Sequence, residues 1–143
     1  MIGVVASAAS AGALTNDQVR ARVDHHVRQA ADLVTHFEAL VNADCPRFAD
    51  ANAWNAYIDT EADRMALLAA HLDQAWIEAK RSPDDDIRRA AKAPRRQAPE
   101  ARQLVDKLTA CATLNGTTFS PLDVFRRLQV EVPRRRAEIV LPE

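Results

Sequence analysis

Four helix-start signals punctuate this chain, and they leave little room for any fold that is not helical. Ser82-Pro83-Asp84-Asp85-Asp86 and Ser120-Pro121-Leu122-Asp123 each place a capping hydroxyl, a proline at the first helical position and acid in the first turn. Unpaired N–H groups and the positive end of the helix dipole favour those residues there. Gln97-Ala98-Pro99-Glu100 offers a third start, and Asp50-Ala51-Asn52 supplies capping oxygens ahead of a long apolar-periodic run. Only three glycines are present, which disfavours glycine-rich phosphate loops and turn-rich β architectures.

Between these signals the apolar residues recur at helical spacing. Thr15-Asn16-Asp17 caps a predicted helix over 16–43, in which Val19, Val23, Val27, Ala30, Val34, Phe37 and Val41 form one stripe. Cys45-Pro46 stops it, because the residue before proline is pushed out of the α region. A second helix over 51–81 aligns Trp54, Ile58, Met65, Leu68, Leu72, Trp76 and Ala79. The short connection predicts an antiparallel hairpin. A third helix follows Ser82 and ends before Pro94, and a fourth runs from Pro99 to Leu114, with Asn115-Gly116 as its stop. A fifth begins at Ser120. Residues 130–143 alternate, contain β-branched side chains and carry Pro133, which predicts an extended C-terminal arm. The expectation is an all-α bundle of four to five helices built on the hairpin, with a small-residue leader over 1–14, a bundle domain over 15–129 and an arm over 130–143.

Charge is unevenly distributed. Residues 1–79 carry 5 basic and 11 acidic side chains, and residues 80–143 carry 14 basic and 9 acidic, so the halves have net charges of -6 and +5. Cys45 and Cys111 lack CxxC or zinc-finger spacing. Cys111 shares a stripe with Leu104 and Leu108, which predicts a buried thiol; the alternative, for an exported chain, is a Cys45–Cys111 bridge that adds roughly 4 kcal/mol by the chain-entropy estimate. The first 13 residues resemble only the tail of a signal peptide, so a cytoplasmic location is expected over an exported one. No run approaches the ~18 apolar residues of a membrane span.

The residues suited to chemistry are few. His25, Asp32 and His36 share one line of the first helix, and level-matching the hairpin sets His71 opposite residue 24; these four are the candidate ligands of a transition metal, which would make the chain a metal-dependent enzyme or carrier. They lack the HExxH or ExxH spacing of known helical metal sites, and solvated surface histidines are the competing expectation, with His26 beside the core. Glu61 projects into an apolar stripe, level with Val34, and reads as a paired structural carboxylate. Arg88, Arg89, Lys92, Arg95 and Arg96, with Arg134, Arg135, Arg136, Ile139 and Leu141 of the arm, form the candidate partner-binding set. Acids interleave with these cations and aromatics make up 5% of the chain, so an acidic protein surface is the expected partner and nucleic acid is not. No nucleophile elbow, phosphate loop or dinucleotide fingerprint occurs. The sequence thus points to a non-catalytic accessory or adaptor subunit without a cofactor; the metal protein and an exported, disulfide-bridged accessory bundle are its rivals.

Overall fold

Helices α1 (Asn16–Asn42), α2 (Ala51–Ala79), α3 (Asp85–Gln97), α4 (Ala101–Leu114) and α5 (Pro121–Ile139) organise residues 12–143, which a computed structural model of the chain describes. The described residues form an all-α bundle; most of the predicted leader over 1–14 lies outside them. Helix α2 is the spine and packs against α1, α3 and α5. Helix α1 runs antiparallel to it, pairing residue 36 with 61, 26 with 71 and 22 with 78. Helix α3 returns along α2, with Lys92 above Trp76 and Arg95 beside Asp73. Helix α5 runs parallel to α2: Arg127 reaches Asp59 and Asp63 near one end, while Glu143, just beyond α5, meets Arg81 just beyond the other.

The caps follow from local chemistry. Thr15 and Gln18 close a capping box on α1, and Asp50 accepts from the Ala53 N–H on α2. Ser120 caps α5 with Pro121 in its first turn, and Gly116 follows α4 at φ +68°, where a side chain would be strained. At α3 the predicted start shifts: Asp84 accepts from Asp86 N–H, and the buried Ser82 hydroxyl instead accepts from Asp84 N–H and donates to Asn16, pinning the start of α3 to that of α1.

Two prolines predicted to end helices do not. Pro94 is buried inside α3, which continues to Gln97, and Pro133 sits inside α5, which continues to Ile139. The predicted extended arm over 130–143 is therefore mostly helix, with only residues 140–143 beyond it. On α5, Val124, Arg127, Leu128, Glu131, Val132, Arg135, Arg136 and Ile139 are half-buried, a continuous helical stripe. It escapes an apolar-pattern reading because the stems of charged side chains, Arg127, Glu131, Arg135 and Arg136, occupy half of it. An interior proline costs about 3 kcal/mol. The ion pairs that span Pro133, from Arg134 and Arg135 to Glu131 and Glu138, return only a few tenths each, so packing on α2 must offset most of that cost.

The α1 core is the predicted stripe, with Val19, Val23, Ala30, Val34 and Phe37 buried and His26 added to them. On α2 the fully buried apolar residues are Trp54, Ala62, Ala66, Ala70, Ala75 and Ala79, whereas Met65, Leu68 and Leu72 are half-buried. A helix packed on several sides presents small residues at its closest approaches and leaves the large ones to fill lateral gaps. Helix α4 is held chiefly at its C-terminal end. Cys45 and Cys111 are joined in a disulfide with Cα atoms 5.2 Å apart, so the expected buried thiol is replaced by a bridge. Around it Asn115 accepts from Phe48 N–H and donates to the Pro46 carbonyl, Arg47 donates to the Leu114 carbonyl, and Lys107 donates to the Ala43 carbonyl. No helix among the described residues is long and apolar enough to cross a membrane.

Candidate functional site

The predicted metal set is divided by the hairpin register. His26 and His71 meet through their Nδ1 atoms at 2.9 Å, with the His25 ring alongside at 5.1 Å from His26 and 6.2 Å from His71 between centroids. His36 lies further along α1, bound to Glu61, and Asp32 is exposed. Among the described residues no three histidine, cysteine or acidic side chains converge as metal ligands, so His25, Asp32, His36 and His71 are not brought together as the candidate metal set. The Nδ1 contact needs one nitrogen protonated and the other bare. His26 Nε2 is buried without a partner; a bare nitrogen there is less costly than an N–H, which assigns the donated proton to His26 Nδ1. Burial and the neighbouring His71 and His25 lower the pKa of His26 to about 4, and burial with His25 lowers that of His71 to about 4. The pair is neutral at pH 7.

Glu61 is buried and fully engaged. One oxygen accepts from Arg64 at 2.6 Å, and the other meets His36 Nε2 at 2.7 Å. Level-matching had set Glu61 against Val34; the actual register is two residues further along α1, which delivers His36. A carboxylate that orients a half-exposed imidazole is half of a catalytic constellation. The flanking hydroxyls do not complete it, because Thr35 and Thr60 donate to the Ala31 and Ala56 carbonyls of their own helices. Its evident work is to tie α1 to α2. Tyr57 feels the same knot: burial and then the Glu61 charge raise its pKa.

The cations sort into three groups. Arg88 donates to the Ser82 carbonyl and Arg89 pairs with Asp86, so both serve the start of α3. Arg134 and Arg135 are neutralised along α5 by Glu131 and Glu138, while Ile139 and Leu141 are half-buried on the bundle's own surface. The Leu141 and Pro142 carbonyls accept from Arg22, whose fork also holds the buried Glu78 with two 2.9 Å hydrogen bonds. Arg134, Arg135, Ile139 and Leu141 are thus fastened to their own chain.

Lys92, Arg95 and Arg96 form the third group, Arg136 standing apart from all three, and they border a cleft of about 420 Å³ between α2 and α3. Leu72, Trp76 and Ala91 form its apolar lining and Asp73 is its single acid. Lys92 Nζ stands 4.4 Å from the centre of the Trp76 ring, a cation–π contact, and Arg95 approaches Asp73 at 3.7 Å. Three cations against one carboxylate leave a net positive rim over an aromatic floor. Sequence reasoning assigned Trp76 wholly to the core and so missed the floor; the signal was Lys92 and Arg95 recurring on the α3 face that meets α2. No protein family, curated protein or solved structure matches the chain.

Proposed function

We propose that this chain is a non-catalytic helical adaptor whose α2–α3 cleft receives an acidic segment of a partner protein. The observation that carries the reading is the cleft: Lys92, Arg95 and Arg96 surround Trp76 and Leu72 with only Asp73 to balance them. Such a rim attracts carboxylates at long range, and the floor covers the aliphatic part of whatever chain bears them. The Cys45–Cys111 bridge supports a working location that is oxidising, in place of the cytoplasmic one expected from the N-terminal residues.

Trp76 lies at the contact, so its fluorescence is the natural reporter. A hexapeptide alternating Glu and Leu should quench or shift it saturably, and the Gln analogue should not. Affinity should fall steeply with added salt, and Lys92→Glu with Arg96→Glu should abolish the response at an unchanged thermal midpoint. Equal binding of the neutral peptide, or no effect of the double reversal, would overturn the proposal.

A further inference from the structure

Arg134, Arg135 and Arg136 are consecutive on α5 but differ in company. The first two are paired with Glu131 and Glu138, whereas Arg136 has no carboxylate partner among the described residues; the buried Nε atoms of Arg135 and Arg136 alike make no hydrogen bond. Arg136 lines a cavity of about 240 Å³ between α2 and α5, together with Gln74, Pro133, Ala137 and Val140. Gln74 is only 5% exposed and lines the same cavity. Buried polar groups are normally paired, because leaving them bare is costly. Here a guanidinium with no carboxylate partner among the described residues and a nearly buried carboxamide line the same space.

We propose that this cavity is a carboxylate-binding site, in which the Arg136 guanidinium holds the two oxygens, the Gln74 carboxamide N–H adds a donor, and Pro133, Ala137 and Val140 cover the attached carbon chain. The planar fork of arginine matches a carboxylate, and the apolar wall offers no donors for the additional oxygens of a phosphate. The volume is below that of pockets for drug-sized ligands, which limits the occupant to a short-chain acid or to one Asp or Glu side chain of a larger molecule. The site stands apart from the α2–α3 cleft, since Arg136 belongs to α5 and none of its lining is shared with that cleft.

The test is a titration of the full-length, isotope-labelled protein with butyrate, with the Glu-Leu hexapeptide and with inorganic phosphate, following backbone amide shifts. Saturable shifts centred on Gln74 and residues 133–140 are expected with butyrate if the occupant is a free acid, and with the peptide alone if it is a side chain; either sustains the carboxylate assignment. Arg136→Met should weaken binding at least tenfold and Gln74→Leu severalfold, while Lys92→Glu leaves it unchanged, which separates this site from the cleft. Arg136→Lys keeps the charge without the fork, and it should bind severalfold more weakly even if the Met variant fails to fold. Phosphate saturating below butyrate, no saturable shift with either carboxylate, or wild-type affinity in Arg136→Lys would overturn the proposal.

Discussion

His26 on α1 and His71 on α2 share a single donated proton through Nδ1 atoms 2.9 Å apart, so the centre of the hairpin is joined by a hydrogen bond that exists only while the pair is neutral or singly protonated. Both rings are lowered to about 4 in the folded chain, against an ordinary value of 6.5. On acidification the unfolded chain therefore binds protons first. Stability should fall by a few kcal/mol for the pair as pH drops from about 6.5 to about 4, with no further loss from these groups below that. Denaturant midpoints of the wild type and of a His26→Leu, His71→Leu double variant, compared between pH 7 and pH 4, isolate this contribution from that of the carboxylates. A variant that loses stability as steeply as the wild type would refute it.

Glu61→Ala should cost about 1–3 kcal/mol, because it leaves a cavity and removes the acceptor of Arg64 and His36. Glu61→Leu should be close to neutral, since both former partners are part-exposed and can turn to water. Chemical denaturation of the two variants checks the ordering, and equal losses would mean that the ion pairs, not the filled volume, carry the stability.

Replacing Cys45 and Cys111 by alanine should lower stability by about 4 kcal/mol, the chain-entropy value for a loop of this length. Hydrogen exchange should show the loss first in α4, whose anchorage centres on the bridge and Asn115. A uniform loss of protection across all five helices would contradict that local picture.

Pro133→Ala restores the missing N–H in the middle of α5 and removes a clash with the carbonyl four residues before it. The unfolded chain gains freedom in exchange, worth up to about 1 kcal/mol. A net gain of about 2 kcal/mol in unfolding free energy is expected, and a loss would show that Pro133 holds a contact the alanine cannot replace.

The parts of the fold legible in the sequence are those where apolar residues alone set the period. Val19, Val23, Ala30, Val34 and Phe37 read as one face and are buried as one face. The start of α5 at Ser120 was legible, but its continuation through residues 130–139 was hidden because Glu131, Arg135 and Arg136 occupy its inner stripe, and their charges conceal the buried stems. Ser82 looked like a cap because hydroxyl, proline and acid follow the usual order; the Asp84 carboxylate, placed to accept from Asp86 N–H, took that role. The candidate site was legible only as a list of cations. Which of them are spent on neighbouring acids and which are free depends on register, and a shift of two residues along α1 was enough to move Glu61 from Val34 to His36.

The parallel course of α2 and α5 favours an order of assembly. His36 and Glu61 are 25 residues apart and His26 and His71 are 45 apart, whereas the contacts that seat α5, Arg127 with Asp63 and Asp59 and Arg81 with Glu143, close spans of 64, 68 and 62 residues. Closing the longer loops costs more chain entropy and follows the reversal through α3 and α4, which predicts that the hairpin forms first and α5 docks last. Gln74 and Arg136 come together only in that final step. A molecule bound between them acts as a bolt on the last helix to arrive, slowing the first event of unfolding.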